Sequence, residues 1–335
     1  MGGNKKSLQL FFFTLAGLSG VLVLIISFLY LYPIKTDSLV SHPRPSQSFE
    51  ESLKRIDILR KADPQGIAPS GRTILMSHGK RMERVIVFFH GFTKSPRQFE
   101  TLGRQFYNLG YNVYIPRIPD HGFKDPVSAN LKRLTAEDLV AMSDEAVDIA
   151  QGLGAHITVA GISMGGVMTG WVAQSRHDVD RAVLIAPSFG PYKFPEYFLK
   201  PAINYLLMRP SYLIWWDPQK KKTLKVPEGT YYGFPSRAIG EVFRLGWYVQ
   251  ILGKNSRPST SLILVITNAN DQAVGKDEIN VVISDWQKSD AQIQNYEFSK
   301  NLNLGHDIID PQQPNQNVSV VYPKLLSLII KVAYQ

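Results

Sequence analysis

Cysteine is absent from the 335-residue sequence, which removes disulfide cross-links, thiolate metal sites and a thiol nucleophile together. Covalent catalysis must then fall to Ser, Thr, Lys or a carboxylate. Internal repeats are missing too, and so is a basic stripe. The net charge of +9 comes from scattered Lys and Arg, so it does not mark a nucleic acid as partner. A hydrophobic content of 44% excludes disorder as the dominant state and is enough for a large core.

Charge is also missing from Leu8 to Leu31, a run of Leu, Phe, Ile and Val with a few small residues. As a helix it would measure roughly 36 Å, enough to span a bilayer. A cleaved signal peptide has an apolar region of about 7–15 residues and ends in small residues. This run is longer and ends in Tyr30-Leu31-Tyr32-Pro33, so an uncleaved anchor over residues 1–32 is expected. Lys5 and Lys6 before the span give a mild bias toward a cytoplasmic N-terminus, with the remaining chain outside. Residues 33–60, opening with a polar stretch that carries Pro43 and Pro45, read as a linker to a domain over 61–335.

Within that domain short apolar runs alternate with amphipathic stretches. Arg72–Ser77, Val85–His90, Tyr111–Ile118, His156–Ile162, Arg181–Ala186 and Ser261–Thr267 read as strands. Val85–Phe89 is apolar on both faces, as buried parallel strands must be. Pro96–Leu109, Thr135–Gly152 and Gly165–Gln174 read as helices, the second opened by a Thr135/Asp138 capping box. The pattern is that of an α/β sheet with crossover helices. Residues 189–258 break it with seven prolines between Pro191 and Pro235 and many aromatics, as a lid inserted late in the sheet would.

Four segments carry chemistry. Gly161-Ile162-Ser163-Met164-Gly165 lies between a strand and a helix, where a tight turn raises a serine hydroxyl above the sheet edge as a nucleophile. His90-Gly91-Phe92 ends another apolar strand, so the backbone amides of Phe92 and Met164 are the candidate oxyanion donors. His90 itself reads as a packed residue that shapes the loop. A base must follow the acid late in the chain; of seven histidines only His177 and His306 come after Ser163, and His177 comes too soon. That leaves His306. Asp271 stands directly after a buried strand, where a carboxylate can fix the imidazole tautomer, while Asp277, Glu278 and Asp285 read as solvated and, with Asp307, are the alternatives for the acid.

Taken with Asn270-Asp271-Gln272-Ala273-Val274 and Gly305-His306-Asp307, these motifs resemble the α/β-hydrolase superfamily, nearest to monoacylglycerol-lipase-like esterases and serine aminopeptidase-type hydrolases. The resemblance runs from about residue 70 to 335. Pro116–Gly122 also resembles the family's loop after the third strand, although Asp120 stands where glycine is usual, and it implies a structural role for His121. It implies a mostly parallel sheet with helices on both faces, a Ser163-His306-Asp271 triad and an acyl-enzyme, with no metal or organic cofactor. The lid's Tyr197, Phe198, Tyr205, Leu206, Leu207, Met208, Tyr212, Leu213, Trp215 and Trp216 are candidates to line an acyl slot. Lys220, Lys221, Lys222 and Lys225 are candidates to touch anionic headgroups. Apolar or lipid esters are thus the first substrate class; peptides or amides, acyl transfer, and a catalytically silent membrane-tethered binding domain are the alternatives.

Overall fold

A computed structural model describes residues 3–127, 129–216, 228–313 and 315–331; the lysines at 220, 221, 222 and 225 lie outside them. The chain opens with α1 (Gly3–Leu31) and α2 (Phe49–Lys61). There follow β1 (Ile74–Met76), β2 (Met82–Phe89), α3 (Glu100–Asn108), β3 (Tyr111–Ile115), α4 (Ala136–Leu153), β4 (Gly154–Ile162), α5 (Met164–Ser175) and β5 (Arg181–Ile185). The insert holds α6 (Leu199–Met208), β6 (Leu213–Trp215) and β7 (Gly233–Pro235). Then come α7 (Ser236–Asn255), β8 (Leu262–Asn268), α8 (Lys276–Lys288), β9 (Gln292–Phe298) and α9 (Val318–Lys331).

Seven strands form one sheet in the order β1-β3-β2-β4-β5-β8-β9. Only β1 runs antiparallel to its neighbour. The apolar run of β2 follows from its place inside this sheet. Val85, Val87 and Phe89 feed the core beneath α4 and α5, while Ile86 and Phe88 feed the one beneath α3 and α9. All five are fully buried, and each such side chain contributes about 1.5–3 kcal/mol relative to exposure. The expected capping box forms: Thr135 Oγ1 accepts from the Asp138 amide, and Asp138 Oδ2 accepts from the Thr135 amide at 2.9 Å.

Three expectations need correction. Residues 33–60 are not a loose linker: Leu39 is fully buried, its carbonyl accepts from Trp171 Nε1 at 2.9 Å, and α2 packs on α4. The amides of His42 and Arg44 donate to Asp144 and Asp148 at 2.6 and 2.7 Å, so this segment is a strap bound to α4. The lid is also shorter than 189–258. Ala238, Val242, Leu245 and Val249 recur at helical spacing and are buried, so α7 packs against α5 and α8 as the crossover into β8. Finally, Glu278 is buried rather than solvated, and burial pushes its carboxyl upward, with Asp277 and Glu196 adding to the shift.

Within α1, Gln9–Leu31 has a mean hydropathy of 2.4 and is long and apolar enough to cross a membrane. Its last turn meets α6, where buried Asn204 donates from Nδ2 to the carbonyls of Leu29 and Tyr32 at 2.7 and 3.0 Å.

Glu137 takes hydrogen bonds from Arg244 and Ser38 at 2.5 and 2.6 Å, while the Lys35 carbonyl accepts from the same guanidinium at 2.7 Å. Burial raises the Glu137 carboxyl, but Arg244 and Ser38 outweigh it and bring it down to about 2. A depressed acid stabilises the fold above its unfolded value and loses that contribution as pH falls toward about 2. Chemical denaturation across this window should therefore show a shallower acid loss for Glu137→Gln than for the parent.

Candidate active site

The strand-to-helix turn between β4 and α5 is too tight for side chains at its glycines. A Cβ on Gly161 would lie 2.1 Å from the Gly165 carbonyl oxygen, and one on Gly165 would lie 2.0 Å from that of Phe89. Gly165→Ala is expected to exceed the ~1–3 kcal/mol typical of overpacking, since the clash is with backbone; urea denaturation measures it. Ser163 sits at the apex with φ +58° and ψ −117°. Such a conformation costs on the order of 1–3 kcal/mol in a non-glycine residue and persists only where the surroundings enforce it. Here the Ser163 amide donates to Ile185 at 3.0 Å, and its carbonyl accepts from Ser188 and Val167, both at 3.1 Å.

Asp271 follows β8 in a turn closed by its amide donating to the Asn268 carbonyl at 3.0 Å. Its two oxygens are divided in use. Oδ1 accepts from the amides of Ala273 and Val274 at 2.8 and 3.3 Å, and Oδ2 lies 2.7 Å from His306 Nδ1. Burial pushes this carboxyl upward, but His306 and the two amides outweigh it and hold it below the usual carboxylate value. It therefore stays ionised at neutral pH beside an imidazole that is a quarter exposed.

The His306 loop is held from three sides by residues that the sequence reading missed. Asn268 Nδ2 donates to the carbonyls of Leu304 and Gly305 at 3.0 and 2.8 Å. Lys94 Nζ stands 3.3 Å from Asp307, and Arg97 pairs with buried Asp310 at 3.0 Å. Tyr322 on α9 donates to the Ile309 carbonyl at 2.6 Å. Asn268 could have been suspected from its place at the end of a buried strand, three residues before Asp271. No local pattern announces the other partners.

Ser163, His306 and Phe92 line one cavity of about 660 Å³, within the range of small-molecule sites. Asp271 stands behind His306, bonded to it. Met164 is the first residue of α5, where no earlier turn of the helix offers its amide a carbonyl. Of the ten lid residues expected to line an acyl slot, only Leu206 and Trp216 reach the cavity. Tyr197, Phe198, Tyr205, Met208, Tyr212 and Leu213 instead face solvent. Ile214, Phe234, Ile239 and Phe243 complete the apolar wall, the last two from α7, which the sequence pattern had assigned wholly to the lid.

His90 and His121 pack beneath the loop that carries Phe92. His90 Nδ1 donates to the Gly91 carbonyl at 3.1 Å and Nε2 accepts from the Ile118 amide at 3.3 Å, a pairing that requires the neutral ring. Burial, followed by His121, holds His90 well below the ordinary imidazole value, and burial brings His121 down to about 4. A base depressed on folding stabilises the native state above its unfolded value of about 6.5 and loses that contribution as pH falls through the window. For His121 alone the loss between about pH 6.5 and 4 is roughly 3 kcal/mol. Denaturation midpoints taken through this range should fall steeply in the parent and less in His121→Asn.

The family model described as "Serine aminopeptidase, S33" matches residues 80–231, the stretch from β2 to the lid. The thermostable monoacylglycerol lipase of Bacillus sp. (strain H-257) is 31% identical over 96 residues, which cover 28% of this chain and 36% of that protein. The chain thus aligns with about a third of that relative's length. Among solved structures, the metagenome-derived lipolytic enzymes LipS and LipT give a TM-score of 0.58 at 19% identity, over 79% of this chain and 99% of theirs. The Paleococcus ferrophilus monoacylglycerol lipase gives 0.56 at 14% identity, over 78% and 99%. A soluble variant of the Saccharomyces cerevisiae monoglyceride lipase gives 0.56 at 13% identity, over 77% and 89%. Identities this low speak for architecture alone: the chain has the α/β-hydrolase fold, and the family match spans the turn that carries Ser163.

Proposed function

We propose that this chain is a serine hydrolase that cleaves carboxyl esters of apolar acyl groups and is held at a membrane by α1. The observation that carries the reading is the 2.7 Å contact between His306 Nδ1 and Asp271 Oδ2 behind the cavity that Ser163 lines. His306 takes the Ser163 proton as Oγ attacks the acyl carbonyl, and the carbonyl π electrons move to oxygen. The amides of Phe92 and Met164 receive that oxyanion. The imidazolium then protonates the departing alcohol as the C–O bond breaks. Water, deprotonated by the same imidazole, releases the acid from the acyl-enzyme and restores the serine. Asp271 keeps the proton of neutral imidazole on Nδ1, so that Nε2 is free to act as base.

The acyl preference follows from the wall of Leu206, Ile214, Phe234 and Phe243, which offers an acyl chain burial worth about 0.8 kcal/mol per methylene. The Gln9–Leu31 span would keep this cavity close to lipid substrates. Two measurements test the proposal. A fluorophosphonate probe should label the parent and not Ser163→Ala, and a graded series of p-nitrophenyl esters should show kcat/KM rising with chain length. An unlabelled parent favours a silent binding domain, and strong preference for aminoacyl amides over every ester overturns the ester reading in favour of a peptidase.

A further inference from the structure

Thr93 is the residue after the Phe92 amide, and its backbone lies at φ +63°. This is the left-handed region, which a β-branched side chain adopts only under constraint. The constraint comes from the lid, on both sides of residues 217–227. Trp216 Nε1 donates to Thr93 Oγ1 at 2.9 Å, and the Tyr231 amide donates to the Thr93 carbonyl at 2.9 Å. The two lid segments are themselves joined, since the Trp216 amide donates to the Tyr232 carbonyl at 2.9 Å. Ring contacts continue the grip: Trp216 lies tilted against Phe234 with centroids 4.5 Å apart, and Phe234 meets Phe92 edge-to-face at 5.1 Å. On the side away from the lid, the Gly91 amide donates to Gln98 Oε1 at 2.7 Å and the Lys94 amide to the Gly91 carbonyl at 3.1 Å. The oxyanion loop is therefore clamped between its own turn and the lid.

We propose that Trp216, through its hydrogen bond to Thr93, is a positioning residue that holds the Phe92 amide toward the developing oxyanion. The lid then assembles the catalytic site as well as walling it. The inference rests on the ester-hydrolase reading above. The Phe92 N–H lies in the Gly91–Phe92 peptide, so its direction follows ψ of Gly91 and φ of Phe92; when Thr93 loses one of its two anchors and relaxes from positive φ, the Phe92–Thr93 peptide turns and carries those torsions with it. Loss of aim at the amide weakens binding of the tetrahedral oxyanion far more than binding of the planar ester, so the effect belongs in kcat.

The test uses the full-length enzyme with Trp216→Phe, Thr93→Val, their double variant and Thr93→Ser. Trp216→Phe keeps an aromatic ring beside Phe234 and removes only the indole donor; Thr93→Val keeps the shape and removes the acceptor. Each single variant should lower kcat on a p-nitrophenyl ester by about 10–100-fold with KM changed less than about threefold. The double variant should be no worse than either single, and Thr93→Ser should recover most of the loss. A trifluoromethyl ketone adds to Ser163 as the serine proton passes to His306, giving a tetrahedral oxyanion. Its affinity should fall by the same factor as kcat. Urea midpoints on every variant separate this effect from misfolding.

A rise in KM with unchanged kcat makes Trp216 only a cavity wall and overturns the inference, as do single-variant effects that multiply in the double. Absence of fluorophosphonate labelling in the parent defeats the ester-hydrolase reading itself, an outcome distinct from either.

Discussion

Replacing Asp271 by asparagine should lower kcat/KM on carboxyl esters by on the order of 10⁴-fold while the fold stays intact. The size of the effect comes from how the two carboxylate oxygens are engaged. Oδ1 accepts from the amides of Ala273 and Val274, so an asparagine there would keep its carbonyl oxygen toward those two donors. Its NH2 group would then face His306 Nδ1, where the carboxylate oxygen lay at 2.7 Å. A donor in that place forces the ring proton onto Nε2, the atom that must receive the serine proton. The imidazolium of the transition state also loses its counter-charge. Steady-state kinetics combined with an unchanged urea midpoint would establish the effect; a loss below about tenfold would remove Asp271 from the proposed triad and direct attention to Asp307.

The second large effect concerns stability. Arg176 is fully buried at the end of α5 and reaches Asp144, Asp148 and Asp178 at 2.9, 2.7 and 2.7 Å. Burial acts to neutralise the guanidinium, and the three carboxylates outweigh it, so it remains charged. Arg176→Met keeps much of the volume and removes the cation shared by the buried Asp144 and Asp148 and the partly exposed Asp178, leaving Asp148 only the longer contact to Arg55 at 3.6 Å. Breaking a buried charge cluster from one side costs about 3–5 kcal/mol. The loss should spread to the strap, because Asp144 also accepts from the Ser41 hydroxyl and the His42 amide, and Asp148 from the Arg44 amide. Protonating the freed carboxylates relieves their repulsion, so the deficit should shrink as pH falls through the carboxylate range. Adding Asp148→Asn should recover part of it. Equal stability of parent and variant at neutral pH would mean that the strap is held by its apolar contacts alone.

Much of the architecture could be read in local pattern because local physics enforces it. The run Val85–Phe89 reads as a strand buried on both faces and the glycines around Ser163 as a tight turn, and the structure has both, with no room for a Cβ at Gly161 or Gly165. The Thr135 capping box fixed the start of α4 for the same kind of reason. β9 escaped notice because it is an edge strand of mixed polarity, with no period-2 apolar face to betray it. The strap escaped because its contacts are backbone amides donated to carboxylates about a hundred residues away, a form of attachment that leaves no trace in composition. α7 was hidden by the proline-rich stretch before it, although its apolar period was present.

What the sequence determined by itself is chemical identity and order: an alcohol on a tight turn, an acid after a buried strand, a late histidine, and an uncharged span at the start. These are properties of neighbouring residues, and neighbours are set by covalent connection. Only the tertiary structure decided which oxygen of Asp271 meets the imidazole, which lid residues reach the cavity, and that a tryptophan bonds the loop after β2, 123 positions away. Those facts depend on distances between segments that the chain brings together only after its two cores have closed on either face of the sheet.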